Sequence, residues 1–276
     1  MDEYSVLMTI YKGDNPSFVS KSIDSMLCQT APTNDFVLVC DGPLTQELNA
    51  LVDSYKKKYE RLFNVYHLPQ NVGLGAALQY GVLKCKNNII ARMDDDDISS
   101  PLRCETQLLA FEKHRDLKLI GSYMYEFERD INDSLIIKKV PLQLPDIINY
   151  SRRRNPFNHS SVMFKKDAII EVGNYSNLRT NQDIDLWMRI LNRNYLCMNI
   201  PKPLVYFRYD YNTLKRRKKW KNIKILIKLW RQFRKQKYCS FFDYLYVVFR
   251  QLLIFLTPLF VLKVYRKIKK PKKGAF

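Results

Sequence analysis

Asn88-Ile89-Ile90-Ala91-Arg92-Met93-Asp94-Asp95-Asp96-Asp97-Ile98-Ser99-Ser100-Pro101 passes from an apolar run directly into four consecutive carboxylates. Ile89 to Met93 suits a short buried strand. Ser99-Ser100-Pro101 predicts a helix start, because serine caps and proline tolerates the first helical turn. Adjacent aspartates repel one another unless a cation or solvent compensates. A hard divalent ion such as Mg²⁺ or Mn²⁺ takes oxygen ligands, commonly one or two carboxylates plus substrate phosphates. Ligands of open α/β sheets bind at the carboxyl ends of the strands. A strand leading into the acidic run therefore favours a metal and phosphate site over a solvated turn.

Working outward, residues 5–10 read as a first buried strand, followed by the breakers of 11–16. A helix is predicted over 18–29, with Val19, Ile23, Met26 and Leu27 on one face. A strand over 36–40 ends in Asp41-Gly42-Pro43, and a helix covers 45–58. A third strand, 63–67, runs into Asn71-Val72-Gly73, with a helix over 74–84. Strands alternating with helices mean βαβ units and a largely parallel sheet. Four strand ends thus deliver polar loops to one edge: Tyr11-Lys12, Asp41-Gly42, Asn71-Val72-Gly73 and Asp94 to Asp97. Each alone is ordinary turn chemistry; their repetition points to a nucleotide pocket. The chain has no GxGxxG after the first strand and no GxxxxGK[ST], which speaks against dinucleotide oxidoreductases and P-loop NTPases. Beyond Pro101 come a helix to 113, strands at 117–125 and 135–140, and a short helix at 142–149. The polar loop that opens at Asn155 enters a strand near Phe164, and a helix over 166–172 closes at Gly173. Residues 180–191 pass from loop to amphipathic helix, and 195–200 and 204–209 read as late strands.

The order strand-loop-Tyr, strand-Asp-Gly, Asn-Val-Gly, Met-Asp-x-Asp-Asp, Asn-His-Ser-Ser-Val-Met-Phe and Gln-Asp-x-Asp-Leu-Trp resembles the family 2 glycosyltransferases of GT-A fold. The nearest flavour is the bacterial enzymes of capsule, exopolysaccharide and O-antigen synthesis. The resemblance spans roughly residues 4–210 and implies a Rossmann-like, mostly parallel sheet with helices on both faces. It implies that Tyr11 lines the nucleotide site and that Asp41 accepts the N–H of the base, usually uracil. Asn71 and Gly73 would shape the pocket beside ribose and diphosphate, and Arg92 would face the donor. Asp94 would contact ribose or sugar hydroxyls, and Asp96 would hold the metal, with Asp94 as a possible second ligand. Asp95 belongs to the donor-binding group, and an Asp95/Asp97 register is the alternative for the working pair. Asp183 matches the catalytic base, with Asp185 as the alternative. His159 and Trp187 would border the acceptor, although Trp187 also suits a core and His159 a satisfied loop. Lys12 stands where the family often has Asn, and Gln182 where it often has an acid.

Charge divides the chain. Of 46 Lys and Arg and 27 Asp and Glu, 20 basic residues but only one acid, Asp243, lie in 211–276. The remaining 26 basic and 26 acidic residues cancel, so the whole net charge of +19 belongs to the last segment. The predicted organisation is a catalytic domain over 1–210 and a basic, membrane-associating helical tail over 211–276. Trp220, Ile223, Leu226, Ile227, Trp230 and Phe233 recur at helical spacing among lysines and arginines, as in a helix lying in a membrane interface. Residues 244–262 are apolar but interrupted by Arg250 and Pro258, which favours an in-plane or re-entrant segment over a spanning one. The basic cluster over 263–273 suits anionic lipid headgroups. The six cysteines form no CxxC pair, which argues against zinc and disulfide scaffolds, and the three histidines do not cluster. The acidic N-terminus is unlike a signal peptide.

The sequence therefore predicts a metal-dependent, inverting transferase on the cytoplasmic face of a bacterial inner membrane, peripheral or monotopic. Its donor would be a nucleotide-sugar, UDP-linked by the resemblance, its acceptor a lipid-linked saccharide, and nucleic acid no partner. Two other readings stay open: a Mg²⁺-dependent phosphohydrolase, and a membrane- or nucleic-acid-binding module with a degenerate site.

Overall fold

A computed structural model describes residues 2–128, 130–131, 135–209, 215 and 218–261. The first half is built of β1 (Tyr4–Ile10), α1 (Pro16–Leu27), β2 (Asp35–Cys40), α2 (Gln46–Lys58), β3 (Phe63–His67), α3 (Leu74–Lys84) and β4 (Ile89–Met93). Every residue of β1, β2 and β4 is buried, as continuous apolar strands require when helices cover both faces. Asn15 starts α1 by accepting from the Ser17 amide, with Pro16 in the first turn, and Thr45 caps α2 through the Leu48 amide.

After β4 come β5 (Ile98–Ser99), α4 (Arg103–Lys113), β6 (Leu117–Phe127), β7 (Ile136–Lys138), α5 (Leu144–Ser151) and a 3-10 turn at His159–Ser161. Then follow β8 (Met163–Lys165), α6 (Lys166–Glu171), α7 (Gln182–Leu191) and β9 (Leu196–Arg208). The sheet order is β3-β2-β1-β4-β8-β6-β9-β5, with β7 beside β6. Pairing is parallel across β3-β2-β1-β4 and between β6 and β9, and antiparallel elsewhere. The carboxyl ends of β1 to β4 therefore share one edge. One core packs α1, α2 and α4 on the sheet; the other packs α3 and α7 on the opposite face.

Two local expectations are corrected. Ser99 does not cap a helix: with Ile98 it pairs with Val205 and Tyr206 as a short strand, and α4 starts only at Arg103. The two predicted late strands are one, and the Pro201–Pro203 step is absorbed as an irregularity between the partners of Ser122 and Tyr123.

The tail holds α8 (Trp220–Lys235) and α9 (Phe241–Leu256). Part of the apolar stripe of α8 is covered by protein, while Trp220 stays exposed and Leu226 and Ile227 are half-buried. Ile223, Leu229, Trp230 and Phe233 are buried, and the last three form one cluster with Ile184 and Met188 of α7 and Val247 of α9. A basic amphipathic helix can bury its stripe against protein as readily as against lipid, and α7 offers an apolar outer face. The more exposed apolar surface belongs to α9: Phe242, Phe249, Leu253 and Leu256 are 76, 69, 54 and 74 % accessible. Among the described residues no helix is long and apolar enough to cross a membrane. The basic cluster of 263–273, Leu262 and the 210/211 domain boundary lie outside the described residues.

Candidate active site

The edge at the carboxyl ends of β2 and β3 is knitted by Asp41. Its Oδ1 accepts the Val72 amide at 2.7 Å, and its Oδ2 accepts the Gly73 amide and Asn71 Nδ2, both at 2.9 Å. Asp41 is 5 % exposed. It therefore ties the end of β2 to the loop before α3. Glycine is required at two turns here: Gly42 and Gly73 have φ of +88° and +94°. A Cβ on Gly42 would lie 2.6 Å from the Asn71 amide nitrogen. Arg179, which sequence reasoning passed over, holds the same loop from outside. Its Nη1 donates to Asn71 Oδ1 at 2.8 Å and its Nη2 to the Asn71 carbonyl at 3.1 Å. Tyr11 is 45 % exposed at the end of β1, and Lys12 beside it is exposed.

The four aspartates separate into different environments. Asp94 pairs with Arg92, and its carbonyl accepts Ser22 Oγ at 2.6 Å. Arg92 is 1 % exposed, with Nε and Nη1 buried and without partners. It lies beneath the site and not on its open surface, which corrects the expectation that it faces the donor. Asp95 shares a hydrogen bond with Asp14 of the first loop. Burial, followed by the surrounding carboxylates, pushes Asp14 up to about 7 and holds Asp95 well above the usual range. Asp97 is completely buried and accepts the Arg208 amide at 2.9 Å, while the Asp96 carbonyl accepts Arg208 Nε at 3.2 Å. Asp97 fixes the loop to β9, which removes it as a substrate-facing carboxylate and leaves Asp96 half-buried between. Arg103, also unforeseen, clamps the base of the run through Nη2, which donates to the Arg92 and Val162 carbonyls at 2.7 and 3.1 Å.

Asp183 sits in the first turn of α7. Its Oδ2 accepts Asn155 Nδ2 at 2.6 Å. Burial raises its pKa above the ordinary carboxylate value, an effect opposed by the Ile184 amide, Asn155 and the charge of Arg92. Asp185 is occupied otherwise: its Oδ2 receives Arg189 at 2.8 Å, and Arg189 also reaches the Val172 and Asn174 carbonyls. His159 Nε2 lies 3.0 Å from the Tyr175 hydroxyl. Burial and the nearby Arg92 hold the imidazole well below its usual pKa. Trp187 has no exposed surface and meets Phe157 and His159 edge-on, so it belongs to the core and not to an acceptor wall.

No three His, Cys, Asp or Glu side chains among the described residues are arranged to hold a metal ion by themselves. The donor set around Asp96 nonetheless fits a hard cation that takes one or two carboxylates and completes its shell with diphosphate oxygens.

One edge thus joins a loop-knitting aspartate, an acidic strand end and a half-buried carboxylate at a helix start. The sequence model of Glycosyl transferase family 2 matches residues 5–173, more than half of the chain. The chain belongs to that family. This family 2 glycosyltransferase carries its candidate base and its tail helices beyond the matched segment. It is 35% identical over 269 residues to the Escherichia coli UDP-Gal:alpha-D-GlcNAc-diphosphoundecaprenol beta-1,3-galactosyltransferase, covering 96% of each chain. It is 34% identical to the amylovoran biosynthesis glycosyltransferase AmsE of Erwinia amylovora, over 83% of this chain and 84% of that one. In fold it is similar to S. aureus TarS in complex with UDP, with a TM-score of 0.60 at 16% identity, over 97% of this chain and 87% of that one. The phosphohydrolase and binding-module readings find no support in these relatives.

Proposed function

We propose that this enzyme is a metal-dependent, inverting transferase that moves a sugar from a UDP-linked donor to a lipid-borne saccharide diphosphate at a membrane surface. The observation that carries this reading is the half-buried carboxylate of Asp183, held by Asn155 at a helix start and raised in pKa, close enough to Arg92 to feel its charge. A carboxylate with a raised pKa is a stronger base near neutral pH. Asp183 takes the proton of the attacking acceptor hydroxyl. The hydroxyl oxygen bonds to the anomeric carbon as the bond to the diphosphate oxygen breaks. UDP leaves with that electron pair, and attack from the opposite face inverts the centre.

A carboxylate offers about four acceptor positions, and three N–H donors already bind Asp41, which leaves one for the N–H of a uracil ring. A divalent ion held by Asp96, with Asp94 beside it, would neutralise charge developing on the leaving diphosphate. The Escherichia coli relative, whose name specifies a diphosphoundecaprenol-linked sugar, supports the acceptor class. The exposed aromatic and aliphatic side of α9, followed in sequence by a strongly basic segment, fits the surface of an anionic membrane.

The test is turnover of UDP-, GDP- and dTDP-sugars in membranes containing the protein, with Mn²⁺ or Mg²⁺, comparing wild type, Asp96→Ala and Asp183→Asn. Acceptor-dependent release of UDP, abolished in both variants, is the expected result. UDP release of equal rate without acceptor, or undiminished in Asp183→Asn, would overturn the reading.

A further inference from the structure

The run Arg152-Arg153-Arg154 lies immediately before Asn155, and the proposed chemistry does not use it. Two of these arginines have structural work. The Arg152 carbonyl accepts Trp230 Nε1 at 2.8 Å, which seats α8. Arg153 pairs with Asp243 in the first turn of α9 and lies over the Tyr246 ring. Arg154 is different. Its Nη2 donates to the Tyr246 hydroxyl at 3.2 Å, and Arg250 lies close enough to the same phenol to interact with it electrostatically. Arg250 is half-buried, and its Nε has no partner. Among the described residues neither Arg154 nor Arg250 pairs with a carboxylate.

Two guanidinium groups converging on one phenol repel each other, and an anion placed between them relieves that repulsion. Guanidinium groups match phosphate with forked hydrogen bonds. The surroundings give the direction of the ligand. On one side Asn155, the next residue in the chain, holds Asp183. On the other, Phe242, Phe249 and Leu253 expose an apolar strip on the helix that carries Tyr246 and Arg250. The order base, paired arginines, apolar strip matches the order sugar hydroxyl, diphosphate, lipid chain.

We propose that Arg154 and Arg250, bridged by Tyr246, form the subsite for the diphosphate of the lipid-linked acceptor. The assignment rests on the transferase reading and adds to it a site separate from the donor pocket.

The experiment is equilibrium binding of undecyl diphosphate, undecyl monophosphate, undecanol and anionic phospholipid vesicles to the full chain, with UDP and Mg²⁺ titrated in parallel. Wild type is expected to prefer the diphosphate and to keep it bound at saturating UDP. Arg154→Gln and Arg250→Gln should each weaken the diphosphate by about tenfold or more, the loss of one charge-assisted contact, and leave undecanol and UDP unchanged. Arg154→Lys should recover part of the loss. Three results would overturn the subsite: no preference for the diphosphate over the alcohol in wild type, displacement of the alkyl diphosphate by UDP, or variants that lose only anionic phospholipid vesicles. The UDP displacement needs no variant, so it decides even if a substitution damages folding. Failure of the subsite with UDP still bound leaves the transferase reading standing; absence of UDP binding in wild type strikes that reading instead.

Discussion

At the scale of single residues, the decisive contrast is between Asp183 and Asp185. Both lie in the first turn of α7, yet Asp185 is held by Arg189 while Asp183 is held only by Asn155 and the helix amide. Asp183→Asn should lower kcat by about 10²–10⁴ with donor binding retained, which single-turnover kinetics and UDP titration would separate. The pH profile carries a sign. The base must be ionised, so activity falls as pH drops through its pKa, and burial places that limb above the ordinary carboxylate range. Asn155 donates to the charged form and so lowers the pKa; Asn155→Ala should therefore move the acid limb of kcat/KM to higher pH. An unmoved limb would assign the titration to another group. Asp185→Asn should cost stability through Arg189 and leave the limb in place.

At the scale of elements, the segment between α6 and α7 is packed directly on the start of α3. A Cβ on Gly75 would lie 2.1 Å from the Ser176 carbonyl oxygen and 2.5 Å from that of Leu178. Backbone cannot yield as a side-chain tip can, so Gly75→Ala should cost about 2–4 kcal/mol, readable as a fall in denaturation midpoint. Gly73→Ala would press on Arg179 Cγ at 2.7 Å and strain a positive φ, loosening the Asn71 loop and raising the KM for donor. The alternating pattern of strands and polar loops made this edge legible in the sequence, because periodicity and turn chemistry are local properties. The side chains that hold the edge were not legible. Arg179 reaches Asn71 and Asn155 reaches Asp183 across long separations in sequence, and nothing in the neighbourhood of either residue announces its partner. Likewise four equal letters concealed that Asp97 is a buried anchor for β9 while Asp96 is half-open. The stripe of α8 was legible as amphipathic, but periodicity does not say whether lipid or α7 covers it.

At the scale of the whole molecule, the tail helices are part of the body. Trp230 is 1 % exposed and packs with Phe233 against α7. Trp230→Ala should cost about 3–5 kcal/mol, measurable by chemical denaturation, although the residue lies far along the chain from every strand. Phe249→Asp with Leu253→Asp should leave that stability nearly unchanged and abolish sedimentation with anionic vesicles, while UDP binding persists. Added salt should weaken vesicle binding of the wild type, since part of the attraction is charge. The burial of α8 on α7 also constrains how such enzymes diversify. The helix bearing the proposed base and the helices proposed to meet the lipid share one core, so they cannot be exchanged independently. A chimera joined at the end of β9 would unite mismatched halves of that core, whereas one joined before α7 would inherit base and tail as a matched cassette. Recombination between relatives should therefore leave its surviving junctions upstream of Gln182.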